Sequence, residues 1–352
     1  PLKSFSENKG STLDIMTSEA IMSRVDPLFS LNDFKGNNSL YKWKCKLCGN
    51  EFEDSLKDRR IPRCQNCFPF YGSTSNLEKE IANWIKSLNI QVIENSKLII
   101  PPLELDMYIP SHNLAIEFDG LYWHSESQGK DSKYHLNKTN KCKEKDIQLL
   151  HIWENEWIEK QDIVKSIIKA KLDIYDKVIH GRKCNVREID SNEASEFYDI
   201  NHIQGRCHSK INLGLFYEEK LISCLSFSKP RYNKKYNYEI IRFANKLGYK
   251  IHGGISKLWT HKPEGSIITY SDKRLFNGEI YRKNMIELKS SGPAYWYIIN
   301  GTLHSRIEFQ KYKLQSKLKK FDSNLTEWEN MQLNGYDRIW DCGNWVFVYN
   351  SI

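Results

Sequence analysis

The chain has 352 residues, a formal net charge of +8 and a pI near 8.8. This length predicts two or three domains, at least one of them large enough to bury a substantial core. No apolar run reaches the length of a membrane span and the first residues lack a signal-peptide core, so we expect a cytoplasmic protein without a membrane partner. The basic excess is mild and favours nucleic acid as a partner.

The first 70 residues contain a polar arm and a cysteine motif. Residues 1–40 are polar and rich in Ser and Asn, which predicts an arm. Within 41–70, Cys45 and Cys48 form one Cys-x-x-Cys pair, and Cys64 and Cys67 form another. Four thiolates at this spacing suit the tetrahedral coordination of Zn²⁺. We therefore predict a structural zinc ribbon at 41–70, in a reducing compartment where thiols hold metal and do not form disulfides.

Two short segments at 103–109 and 114–119 alternate apolar and polar residues, which predicts a pair of β-strands joined by a turn. The turn would bring Asp106 beside Glu117 and Asp119, shortly before His124. Carboxylates and an imidazole at adjoining strand ends suit a hard divalent cation and a base that activates water. The alternative is that the carboxylates form only the solvated face of the strands and that His124 is a core residue.

Helical and strand patterns surround this pair. Ser75 and Glu78 have the spacing of a helix capping box, so Glu78 either caps this helix or leans over the active edge of the sheet. A basic helix containing Lys138 and Lys141, an apolar strand at 147–153 and a helix at 157–175 follow. The elements from 75 to 178 predict an α/β core with a mixed sheet.

Three segments in this order, SNLEKEI, LELDMYIPSHNLAIEFDGLYWHSE and KYHLNKTNKCKEKDIQLLHIWENEW, resemble the core of the very-short-patch-repair endonuclease superfamily. Within this superfamily the residues resemble most the phage and intron-associated homing endonucleases called EDxHD, and a zinc ribbon in front of the core also resembles such phage proteins. The resemblance covers about a hundred residues. It implies a restriction-endonuclease-like fold and Mg²⁺-dependent cleavage of DNA.

The resemblance also implies roles for single residues. Asp106 matches the metal-binding carboxylate, His124 the histidine that organises or deprotonates the attacking water, and Glu78 the helix-borne acid that holds a metal through water. Asp119 stands where the patch-repair enzymes have a second histidine, and a carboxylate there can still hold hydrated Mg²⁺. We therefore expect Asp106 and Asp119 as Mg²⁺ ligands.

Three further residues, one within the strand pair and two behind it, carry over with weaker matches. Glu117 fits the acid of the wider acid-x-lysine pattern, although Asp119 occupies the slot of the lysine. His135 and Lys138 match a segment behind the site, where they would contact phosphate or stabilise transition-state charge.

The region 180–352 supports two interpretations. Strands are predicted at 201–205, 213–217, 221–228, 238–244, 266–270 and 295–299, and the run IRFANKLGYKIHGGISKLW, followed by YSDKRLFNGEIY, resembles GNAT acetyltransferase-like domains of phage proteins. Gly253-Gly254-Ile255 interrupts the pyrophosphate motif of that family. The other interpretation is a DNA-recognition domain, because cations alternate with tyrosines and a long target site needs a large contact surface. The cations that we expect at DNA across the chain are Lys138, Lys141, Arg206, Lys210, Arg231, Lys234 and Arg274.

The sequence thus predicts a phage-encoded, Mg²⁺-dependent hydrolase that cuts double-stranded DNA at a long specific site, as homing endonucleases do. One alternative is a nicking endonuclease directed to mismatches or damage. Another is a DNA-modifying acyltransferase whose N-terminal modules only bind DNA. The sequence leaves open the target site, the strand geometry of the cut and the oligomeric state.

Overall fold

The computed structural model describes residues 25–46, 48–56, 62, 64 and 74–350. They fall into two compact units, each described separately. Unit 1 contains the described part of Pro1–Lys79 together with Leu121–Lys130 and Tyr295–Ile339, and unit 2 contains Glu80–Gly120, Asp131–Ala294 and Trp340–Ile352. The domain boundaries expected from the sequence remain predictions.

Strands and helices alternate along the chain, so the predicted mixed α/β class is confirmed. The strands are β1 Val25–Pro27, β2 Tyr41–Cys45, β3 Glu51–Asp54, β4 Ile93–Ile100, β5 Leu103–Ile109, β6 Leu114–Asp119, β7 Gln148–Trp153, β8 Lys177–His180, β9 Asn185–Glu188, β10 Ile211–Tyr217, β11 Lys220–Ser228, β12 Tyr238–Asn245, β13 Tyr249–His252, β14 Ile267–Asp272, β15 Ile286–Leu288, β16 Tyr295–Ile299, β17 Thr302–Ser305, β18 Asp337–Trp340 and β19 Asn344–Tyr349. The α-helices are α1 Thr74–Ser87, α2 Tyr134–Lys143, α3 Glu154–Glu159, α4 Gln161–Lys171, α5 Ser191–Asn201, α6 Gly254–Trp259, α7 Glu279–Arg282, α8 Lys311–Leu314 and α9 Glu327–Leu333. Among the described residues, none of the helices is both long and apolar enough to cross a membrane.

Unit 1 contains two small three-stranded sheets. Strands β1, β2 and β3 form an antiparallel sheet in that order. Tyr41, Trp43 and Cys45 of β2 are buried while the lysines between them are exposed, as the period of two in a strand requires. The second sheet has the order β17-β16-β18, and α8 and α9 help to cover its core of Tyr297, Ile299, Leu314, Leu318 and Met331.

Unit 2 contains a four-stranded mixed sheet in the order β4-β5-β6-β7. Strands β5 and β6 pair antiparallel with Met107 opposite Ile116, which confirms the predicted strand pair. Strands β6 and β7 pair in parallel, and the chain between them includes α2, so α2 belongs to a β-α-β crossover. The helix predicted at 157–175 is instead two helices, α3 and α4, which meet at Lys160.

The larger sheet of unit 2 has seven strands in the order β15-β19-β14-β12-β11-β10-β9. Strands β12 and β14 pair in parallel, whereas the other neighbours are antiparallel. Most strands predicted in this region are confirmed. The strand predicted at 201–205 is wrong, because its first residue, Asn201, is the last residue of helix α5. The N-cap of this helix is Asp190. The Asp190 side chain accepts hydrogen bonds from the backbone N–H groups of Asn192 and Glu193.

Candidate active site

Helix α2 buries a polar face against the four-stranded sheet. His135 and Lys138 are 2% and 7% exposed, and Cys142 on the same face is fully buried. These positions share one helix face because they lie three, four and seven residues apart. The carboxylates of β6 are covered as well, since every residue of β6 is buried. The alternative, in which the β6 carboxylates form only a solvated face, is therefore wrong, because α2 covers them.

The first group on this face is formed by Asp106, Glu117 and Lys138. The backbone N–H of Asp106 donates to Glu117 Oε1 at 3.1 Å, and the backbone N–H of Phe118 donates to Asp106 Oδ2 at 2.8 Å. Lys138 Nζ donates to Glu117 Oε2. A lysine of α2 thus lies beside Glu117, whereas in β6 itself Asp119 occupies the lysine position of the acid-x-lysine pattern.

The electrostatics of this group show an excess of negative charge. Burial and the neighbouring Asp106 carboxylate raise the pKa of Glu117 well above its ordinary value, and Lys138 offsets only part of this effect. Burial alone would lower the pKa of Lys138, but the Glu117 carboxylate outweighs it and the pKa of Lys138 is raised. A divalent cation would relieve the repulsion among these carboxylates, so the residues fit such an ion.

The second group is formed by Asp119, His135 and His151, all almost fully buried. His151 Nδ1 lies 2.9 Å from Asp119 Oδ2, and His135 Nε2 lies 3.6 Å from Asp119 Oδ1. One ligand atom from each residue lies within 4.8 Å of the others, so this group could hold a metal ion. Burial lowers the pKa of His151 to about 4, and its Nε2 lies 2.9 Å from Thr139 Oγ1.

His151 was not among the predicted site residues. The sequence places it inside an apolar strand, where a histidine reads as an ordinary buried side chain. The parallel register of β6 and β7 places His151 opposite Glu117. His151 thereby lies beside Asp119, 32 residues earlier in the chain. A polar residue in an otherwise apolar strand was the one available signal.

Arg274 supports β7 from the larger sheet. Its guanidinium makes two hydrogen bonds to the Glu156 carboxylate at 3.0 and 2.8 Å and a third to the backbone oxygen of His151 at 3.0 Å. It also lies over the Trp153 ring, 3.8 Å from the centroid. Arg274 is 3% exposed, so we leave it out of the proposed DNA-contact surface.

The remaining predicted residues of the centre lie in different surroundings. Glu78 is a partly exposed residue of α1. Because α1 begins at Thr74, Ser75 lies within the helix and not at the cap position before it. The predicted capping box also depends on the side chain of Ser75, which the structure does not describe. His124 lies in the Leu121–Lys130 segment of unit 1 and is partly exposed.

The predicted DNA-contacting cations differ in how freely they present charge. Lys210 is exposed and Lys141 is partly exposed. Arg206 is paired with Asp199, Arg231 with the buried Glu239, and the ammonium of Lys234 donates to the backbone oxygen of Pro230.

The cysteine cluster lies in unit 1. One sulfur each from Cys45, Cys48 and Cys64 lies within 4.8 Å of the others, with 3.7 Å between Cys48 Sγ and Cys64 Sγ. The backbone N–H of Gly49 donates to the oxygen of Cys45 at 2.8 Å, and its φ of +73° is the left-handed conformation that glycine favours. Three converging sulfurs could hold a metal ion and suit Zn²⁺. The predicted fourth ligand, Cys67, lies outside the described residues.

In comparisons with known proteins, no protein-family model matches the chain and no curated protein matches it significantly.

We expect one tightly bound Zn²⁺ per chain in the cysteine cluster. Cys64→Ser should reduce the bound zinc, measured by atomic emission after dialysis, from about one equivalent to well below half, because a buried thiolate is lost. The matched control is Cys184→Ser, which removes a buried thiol outside the cluster. Equal zinc content in both variants would contradict the assignment.

We expect His151 to make stability depend on pH. In the unfolded chain its pKa is near 6.5, whereas burial lowers it to about 4 in the folded protein. The unfolded state therefore binds a proton first. The stability that neutral His151 contributes is complete above pH 6.5 and is lost as pH falls from 6.5 to about 4, by up to about 3 kcal/mol.

Urea denaturation at several pH values measures this effect. In the His151→Gln variant, the free energy of unfolding should fall less steeply over the same range. His208→Gln, at an exposed histidine, serves as the control. Profiles of equal slope in the wild type and in His151→Gln would refute the prediction.

Proposed function

We propose that this protein is a Mg²⁺-dependent endonuclease that hydrolyses phosphodiester bonds of double-stranded DNA, with a restriction-endonuclease-like core. The observation that carries this proposal is the buried polar face between α2 and the β5–β6–β7 edge of the sheet. It gathers the buried carboxylates of Glu117 and Asp119, one ammonium and two imidazoles, next to the partly exposed carboxylate of Asp106.

Burying this many charged and polar groups costs free energy that an apolar core would not cost. Burying an ionised group without full compensation costs several kcal/mol, and helices usually cover sheets with apolar side chains. Strongly perturbed titratable groups that cluster in one place are typical of functional sites. The raised pKa of Glu117 and the lowered pKa of His151 fit that pattern.

Asp106, Glu117 and Asp119 would hold Mg²⁺, since carboxylate oxygens are its preferred protein ligands. When bound, the ion neutralises phosphate oxygens and lowers the pKa of a bound water. Lys138, held against Glu117, keeps a positive charge beside the carboxylates and would stabilise the charge that develops on the phosphate. The sequence resemblance implies that His124, a partly exposed residue of unit 1, orients the attacking water or accepts its proton, and this role stays a prediction.

The net reaction is hydrolysis. The water oxygen forms a bond to phosphorus, the bond from phosphorus to the ester oxygen breaks, and the leaving oxygen receives a proton. The same centre would serve a homing endonuclease that cuts both strands and a nicking enzyme directed to mismatches. We favour the homing type because the region after the core offers extensive surface for a long DNA site.

A cavity in unit 2 favours the acyltransferase as a second candidate. It has a volume of about 530 Å³ and is lined partly by His180, Arg182, His252 and Lys257, of which the cationic Arg182 and Lys257 suit phosphate groups. Turnover of acetyl-CoA without DNA cleavage would favour the transferase.

Asp106→Asn should abolish cleavage of supercoiled plasmid in Mg²⁺, with a fall of roughly a thousandfold, about 4 kcal/mol of transition-state stabilisation. The amide keeps an oxygen for the hydrogen bond from the backbone N–H of Phe118, so the melting temperature should change little. Asp146→Asn is the matched control, because Asp146 is exposed and its φ of 56° is one that asparagine tolerates.

Cleavage retained by Asp106→Asn would overturn the proposed site. The product of the wild type separates the subclasses, because a linear product from a plasmid with one selected site favours the homing type. A nicked product that requires a mismatch favours the repair type.

A further inference from the structure

Residues 311–320 of unit 1 form an exposed basic surface, which we call the lysine surface. It contains five lysines in ten residues and no acidic residue. Lys311, Lys319 and Lys320 are exposed, and Tyr312 beside them is 78% exposed. No ion pair among the described residues involves Lys311, Lys319 or Lys320, although Lys311 lies near enough to Glu329 to interact with it electrostatically.

The backbone under the lysine surface is held firmly. Leu314 and Leu318 are buried in the core of the small β16–β18 sheet, at 0% and 9% exposure. The side chain of Asn334 accepts a hydrogen bond from the N–H of Lys320 at 3.1 Å and donates one to the oxygen of Lys320 at 2.7 Å. A surface fixed in this way loses little conformational entropy when it binds a partner.

The same small sheet holds the loop that contains His124. Arg338 of β18 makes two hydrogen bonds to the Glu126 carboxylate, at 2.6 and 2.7 Å. Its guanidinium also lies over the ring of Trp328, 4.2 Å from the centroid. Next to Glu126, the N–H and hydroxyl of Ser127 both donate to the Asp337 carboxylate. The loop at 124–127 and the lysine surface therefore belong to one supported structure.

We infer that the lysine surface binds the sugar–phosphate backbone of duplex DNA and thereby holds the His124 loop against the DNA. Duplex DNA presents a dense, regular row of charges, one for about every 1.7 Å along its axis, which suits several fixed ammonium groups in a short span. Tyrosine side chains are also among the groups that hydrogen-bond to the phosphates of duplex DNA. The lysine surface lies outside the proposed catalytic centre. The role of the His124 loop in cleavage rests on the proposed function.

The first test is the salt dependence of binding. The triple variant Lys311→Gln, Lys319→Gln, Lys320→Gln is compared with the wild type by fluorescence anisotropy on a labelled duplex, with Ca²⁺ in place of Mg²⁺ and KCl varied. The slope of log K against log salt is negative, and each lost phosphate contact reduces its magnitude by about 0.9. The magnitude should therefore fall by about two to three in the triple variant.

The control triple variant Lys183→Gln, Lys220→Gln, Lys289→Gln removes the same net charge from exposed positions elsewhere. It should leave the slope nearly unchanged. A slope for the lysine-surface variant equal to that of the wild type, or an equal loss in both triple variants, would overturn the inference. This measurement reads binding alone, so it decides the lysine surface even if the wild type never cuts DNA.

The second test concerns the loop. Glu126→Gln should keep the DNA affinity within about twofold and lower the cleavage rate by at least about tenfold, because the bidentate contact to Arg338 is lost. Glu51→Gln, at an exposed glutamate of β3, is the control. Unchanged cleavage by Glu126→Gln would overturn the role of the loop contact, whereas absence of cleavage by the wild type would overturn the proposed function.

Discussion

The pairing of Lys138 with Glu117 is the contact on which the proposed centre depends. It joins the inner face of α2 to β6, and it lets an acidic strand lie in the interior of the protein. Removal of one partner would leave an uncompensated buried charge, at a cost of about 3–5 kcal/mol. The β-α-β crossover makes the contact possible, because it places α2 over the parallel strands β6 and β7.

The larger sheet of unit 2 contributes to this centre through Arg274. The guanidinium joins Glu156 of α3 to Asp272 of β14. The backbone oxygen of Arg274 also accepts a hydrogen bond from the backbone N–H of His151. Thr139 Oγ1 also lies 3.4 Å from Cys342 Sγ, beside β19. Residues far apart in sequence thus fix the strand that carries His151. The region after residue 180 is therefore part of the structural support of the candidate site as well as a candidate recognition surface.

Local patterns explain what could be predicted from the sequence. The alternation in 103–119 gave the β5–β6 pair, and the cysteine spacing placed Cys45, Cys48 and Cys64 in one cluster. What could not be predicted depends on long-range contacts. The burial of Asp119 requires knowledge that α2 crosses over β6, and the position of His151 beside Asp119 requires the parallel register of β6 and β7. The support of the Glu126 loop by Arg338 joins residues 212 positions apart, and a single sequence carries no local sign of it.

The most direct test of the central claim is a crystal structure of the full chain with duplex DNA and Mn²⁺, with anomalous data recorded to locate the ion. The account predicts an anomalous peak at coordination distance, about 2.0–2.3 Å, from carboxylate oxygens of Asp106 and its neighbours Glu117 or Asp119, with a DNA phosphate beside it. A protein that binds DNA with its phosphates remote from these carboxylates, and with no Mn²⁺ peak among them, would contradict it.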